Sequence, residues 1–208
     1  GPRISEYTAR YYNFSLGFKG DIADSYQWDV MGSYGKSDQV EVQKGYWLKS
    51  RFRQSLLSGP DGCNDGSSGC LPVDFFGPTG SITAEMNAFL AGGESNVSTI
   101  FDMTQLKGSF TGNLGLKLPT ASDSISFALG AEYRDYKGEQ ASDILSQSGD
   151  LGGGGSASPN IQGGYDVVEG VIEVAVPLIQ GRRLVDDLSL EAGYRYSDYE
   201  IKADGASG

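Results

Sequence analysis

Six charged residues fall at strand-compatible spacing in the second half of the chain: Glu132 with Arg134, Glu169 with Glu173, and Glu191 with Arg195. Residues two or four apart on a strand share a face, so each pair projects from one side. Carboxylates beside guanidinium groups could serve acid–base chemistry, but none of these stands in a recognisable catalytic spacing. The chain also has no histidine among its 208 residues. Imidazole triads, histidine general bases, histidine-ligated zinc and the usual haem ligand are therefore excluded within it. The expected role is structural. Arg134 should lie opposite Glu169 and Arg195 opposite the 169–173 stretch, with Glu132 and Glu191 at the margins of an inward charge ladder. Wall-to-wall or wall-to-plug ion pairing is the expectation, with direct ligand contact as the alternative. No enzyme activity, catalytic residue, metal site or cofactor is expected.

Two further motifs could carry chemistry. Cys63 and Cys70 bracket a Gly/Ser/Asn/Asp spacer in GCNDGSSGC that can bend to bring its ends together. Two thiolates without histidine make a poor metal site, so the spacing predicts a local disulfide and an extracytoplasmic compartment. Free cytosolic thiols are the alternative. GDLGGGGSASP at 149–159 has glycines enough to cradle a phosphate, but no strand–glycine–helix context and no following lysine. It reads as a loop.

The elements that must position these groups are strands. Tyr12, Phe14, Leu16 and Phe18 alternate with polar or small residues, as do Tyr26, Trp28, Val30 and Tyr34. The same period of two runs through Leu106–Leu118, Ile125–Tyr133, Val168–Leu178 and Leu188–Tyr196. Each run has one apolar and one polar face, the pattern of half-buried antiparallel strands. Tyr12/Phe14/Leu16/Phe18 and Ile125/Phe127/Leu129 should share the apolar side. Hairpins are expected at about 8–36, 97–138 and 163–200. Connections alternate between short (about 20–25, 119–124, 179–187) and long (about 37–96 and 138–162). Thr83 is placed to cap one short helix in the first long loop, TAEMNAFLAGG.

Short turns at one end and long loops at the other are the plan of an outer-membrane barrel. Aromatic residues gather toward both ends of the strands: Tyr26 and Trp28 near the short turns, Tyr12, Tyr34, Tyr133, Tyr136, Tyr194, Tyr196 and Tyr199 toward the long loops. They read as two interfacial girdles. No apolar run approaches a transmembrane helix. Net charge of −11 argues against a nucleic-acid partner. Glycine, 31 of 208 residues, has no collagen-like period.

Four segments together resemble TonB-dependent outer-membrane receptors of the proteobacterial type. GCLPVDFFGPTGSITAEMNAFL is similar to an extracellular loop of that class. FALGAEYRDY, GGYDVVEGVIEVAVPLI and LSLEAGYRYSDY are similar to consecutive barrel strands. The resemblance implies energy-coupled uptake of a bulky nutrient such as a siderophore, cobalamin or oligosaccharide. It implies as partners outer-membrane lipid, the remainder of the barrel, a plug domain, and a periplasmic coupling protein acting through that plug. It also implies surface-exposed loops. The chain shows neither plug nor coupling box, and six strands cannot close a membrane barrel. The expectation is therefore an all-β middle portion of a receptor barrel. A passive porin and a secreted all-β ligand-binding module are the alternatives.

Overall fold

The computed structural model describes residues 2–59, 62, 64, 69–153 and 156–204, with side chains to residue 202 in the last segment. Six strands form one antiparallel sheet in chain order: β1 Ile4–Ile22, β2 Tyr26–Lys44, β3 Ser95–Lys117, β4 Ser124–Ser142, β5 Ile161–Arg182 and β6 Val185–Asp204. Each pairs only with its sequence neighbours among the described residues, leaving β1 and β6 as free edges. The all-β, up-and-down expectation holds. The strands are 19 to 23 residues long and continue past the predicted hairpins into what the sequence suggests is loop. They run on because alternation persists there in polar form, as in Glu41–Val42–Gln43, where the backbone ladder rather than apolar contrast maintains the pairing.

Irregularities sit where local chemistry requires them. Pro177 donates no ladder hydrogen bond, and the β5–β6 register shifts between Pro177 and Ile179. Gly115 takes φ +71 inside the β3–β4 irregularity between Asn113 and Lys117, a conformation that disfavours a side chain. At the short-turn end Gln180 joins two hairpins. Its Oε1 accepts from Ser122 N and Asp123 N at 2.9 Å each, and its backbone N–H donates to Thr120 O at 2.9 Å.

Among the described residues the long loops carry three helices: α1 Lys49–Leu57, α2 Ala84–Leu90 and α3 Ile144–Ser148. Only α2 was expected. Thr83 caps it as predicted, its Oγ1 accepting from Met86 N at 3.2 Å. The loops bury a small core of their own. Leu90 is fully buried, Leu48, Val73 and Leu151 nearly so, and the rings of Trp47 and Phe52 meet that of Phe75 at a tilt. The backbone bridge Trp47–Ala91 closes the first loop on itself, and Leu48–Leu151 ties it to the second.

Cys70 is buried against this core and is disulfide-bonded. Cys63, its predicted partner, lies outside the described residues. Unreduced protein should yield no alkylatable thiol. Labelling of Cys63 and Cys70 without reductant would overturn the pairing.

Candidate functional site

The sheet has two chemically different faces, and the register shows how each is assembled. One row runs Gly20–Trp28–Phe110–Leu129–Ile172–Tyr194 and the next Phe18–Val30–Gly108–Ala131–Gly170–Tyr196. Nothing among the described residues covers this apolar face, with Phe14 68% and Leu16 67% exposed. Tyr12, Phe14, Leu16 and Phe18 share it with Phe127 and Leu129, as expected. So large a continuous apolar surface in water would be an association or membrane face.

Above the band the same face becomes charged along a diagonal. The first polar residue on successive strands is Arg10, Lys36, Thr104, Asp135, Asp166 and Asp198. Asp198 stands level, through Val168, Tyr133, Leu106 and Gly32, with Leu16 of β1. The boundary therefore drops by 16 − 10 = 6 residues of β1 across five strand steps. At ~3.3 Å per residue and ~4.8 Å per strand, that is about 20 Å in about 24 Å, a slope near 40°. Ion pairs cross the charged zone: Lys202 lies 2.6 Å from Asp166 and 3.3 Å from Asp135, and Lys36 lies 3.8 Å from Asp102. The hydrogen bond to Asp166, then that to Asp135, holds the Lys202 ammonium above its ordinary pKa.

The opposite face carries the predicted charges, all six with the expected parity. Four of them join into a network. Glu169, 4% exposed, lies 2.9 Å from Arg134 Nη2 and 2.5 Å from Arg195 Nη2, and accepts from Ser197 Oγ at 3.0 Å. Arg134 Nε also lies 3.1 Å from Glu132, which accepts from Gln105 Nε2 at 2.5 Å. Ser33 Oγ extends the chain to Gln105 at 3.3 Å. The network thus crosses β2 to β6. Glu169 accepts from three donors on β4 and β6, so the network cross-links the strands.

Three sequence expectations need correction. Arg134 stands opposite Val167, not Glu169, and reaches Glu169 diagonally. The slip of two residues preserves the face and comes from stagger between adjacent hairpins. Glu173 and Glu191, opposite Gly193 and Ala175, enter no ion pair among the described residues. Tyr136 and Tyr199 do not belong to the apolar-face girdle. Each lies an odd number of residues from its neighbour in that set, and both point to the polar side, where Tyr165 stacks on Tyr136 at 4.9 Å and meets Tyr199 at 6.3 Å. Tyr12, Tyr26, Trp28, Tyr34, Tyr133, Tyr194 and Tyr196 are on the apolar face.

Of the two displaced tyrosines, Tyr136 helps form a feature not read from the sequence. On the polar face a trough of about 530 Å³ opens between Tyr11, Phe101, Tyr136 and Tyr165, floored by Gly35, Gly138 and Gly163. A Cβ on Gly138 would lie 3.1 Å from the Phe101 ring, so the glycine makes room for the ring over the strand. The available signal was aromatic residues at polar-face parity beside glycines, legible only once the register is known.

Glu169→Ala should lower the urea midpoint of unfolding clearly, because it removes the carboxylate shared by Arg134, Arg195 and Ser197. Glu173→Ala should leave the midpoint unchanged. Equal effects would show that the network contributes nothing.

No family model matches the chain, and no curated protein matches it.

Proposed function

We propose that this sheet is a section of the wall of a bacterial outer-membrane receptor barrel. Its apolar face meets lipid, its polar face lines the lumen, and its long loops stand at the cell surface. The observation that carries this is the diagonal lower edge of the charged zone. In a barrel the strands tilt by about 35–45° while the membrane boundary stays level, so the boundary must climb the register at that angle. The slope near 40° agrees. The band's height agrees too. Asp123 and Asp135 flank Ile125–Tyr133 on β4, and twelve steps of ~3.3 Å at that tilt separate them by about 30 Å, room for an apolar band of about 25 Å. Free edges on β1 and β6 favour further strands beside them, since unpaired backbone groups are costly in lipid.

The function is energy-coupled uptake of a bulky nutrient, such as a siderophore, cobalamin or an oligosaccharide. This part is supported by the resemblance of the loop and strand segments to TonB-dependent receptors. A plug and a periplasmic coupling protein would be its partners. A passive porin is the competing reading. Planar-bilayer conductance of the full protein bearing this sheet separates them: a plugged receptor stays closed, whereas stable open channels would reject the receptor. Quantitative release into buffer without detergent would reject both.

A further inference from the structure

We propose that the surface-loop unit holds a binding pocket for an anion carried on a flat apolar body, such as an aromatic carboxylate. Between α1, the start of β1 and the second long loop lies a cavity of about 450 Å³, within the range of small-molecule sites. Trp47, Phe52 and Leu56 give it an apolar surface, and Arg3, Lys49 and Arg53 surround that surface with cations.

In a chain of net charge −11, six of the 16 Lys and Arg residues stand in ion pairs among the described residues, and three of the others gather at this cavity. Lys36, Lys44, Arg134, Lys137, Arg195 and Lys202 all lie within ion-pair distance of carboxylates. Arg3, Lys49 and Arg53 enter no ion pair among the described residues. Their recorded contacts are with uncharged groups: the Arg3 guanidinium lies 5.2 Å from the Tyr46 ring centroid, and Lys49 Nζ donates to Gly149 O at 2.7 Å. The carboxylate beside α1, Asp150, accepts from Ser50 N at 2.8 Å and from Ser50 Oγ at 2.5 Å. Three cations without carboxylate partners next to an indole and a phenyl ring match a ligand that is anionic at one end and planar at the other. Guanidinium forks favour carboxylate, sulfonate or phosphate geometry, and the rings favour a flat face.

The loop core holds the pocket in place. Leu48 N donates to the Leu90 carbonyl at 2.9 Å and Gly152 N to the Trp47 carbonyl at 2.7 Å, which ties both sides of the cavity to the buried leucines. As a capture site for cargo the pocket rests on the receptor reading above; as an anion site it stands without it.

Ligand-observed NMR on the full protein in a non-ionic detergent tests this with 1-naphthoate and its uncharged analogue 1-naphthamide. Saturable naphthoate binding is expected, with naphthamide at least about tenfold weaker, the size expected for loss of a charge-assisted contact. Arg3→Gln combined with Arg53→Gln should weaken naphthoate by a similar factor. Leu56→Glu, at an exposed position, should abolish binding by repulsion. Lys137→Gln, outside the pocket, should change nothing. Equal binding of the two probes, absence of naphthoate binding at millimolar concentration, or wild-type affinity in the double variant would overturn the proposal. Open channels in the conductance experiment would reject the receptor and leave this binding difference intact. Loss of the binding difference would leave the conductance result untouched.

Discussion

Leu129→Arg is expected to destabilise the protein by about 2–4 kcal/mol in a lipid bilayer, the cost of a cationic side chain near the midplane of a barrel's lipid face. Leu129 stands in the middle of the apolar band, in register with Phe110 and Ile172. Its neighbour Ala128 projects to the other side, opposite Glu173, which is without an ion-pair partner among the described residues. Ala128→Arg should therefore be tolerated. Urea titration in lipid vesicles reads both variants. If the two cost the same, the faces have been misassigned; if Ala128→Arg costs more, they are inverted.

Leu90→Ala should destabilise the loop unit by about 2–5 kcal/mol, the range for truncating a fully buried leucine. Leu90 has no exposed surface and its carbonyl receives the Leu48 N–H. The sheet does not depend on this core, so the damage should stay local. Limited proteolysis should cut rapidly within 45–94 while β-sheet ellipticity is unchanged. Phe76→Ala, at a side chain 94% exposed, serves as the comparison and should behave as wild type. Loss of sheet signal in Leu90→Ala would mean that loops and wall fold as one unit.

What the sequence made legible follows from the range of the signals. Alternation is local, so each strand and its facing could be read residue by residue, including the polar-face parity of Arg134, Glu169 and Arg195. Cross-strand position is not local. It depends on stagger between hairpins, which left Arg134 two residues from its predicted partner and hid the grouping of Tyr11, Phe101, Tyr136 and Tyr165. Helix α2 was visible because Thr83 caps it from within its own segment. Helix α1 has Leu48 at its N-cap, which offers no capping side chain, and its first turn is held instead by Asp150 from the other loop. A helix stabilised across 100 residues of chain leaves no signature in its own nine. The loop core is similar: Leu48, Leu90 and Leu151 are unremarkable apolar residues until two loops meet. Tyr136 and Tyr199 lie toward strand ends like the girdle residues, but parity, not position along the strand, decides the face.

The central claim, that this sheet is a membrane wall with lipid on one side only, is tested most directly by a nitroxide scan of β4. Single cysteines placed in turn at positions 125–134 of a cysteine-free background are spin-labelled, and the full protein is reconstituted in lipid vesicles. A wall with lipid on one side predicts collision with oxygen, which concentrates in lipid, peaking at 125, 127, 129, 131 and 133. Collision with a water-soluble nickel chelate should be low at those positions and should not share their period. Oxygen accessibility without a period of two, or equal chelate access on both faces, would contradict it.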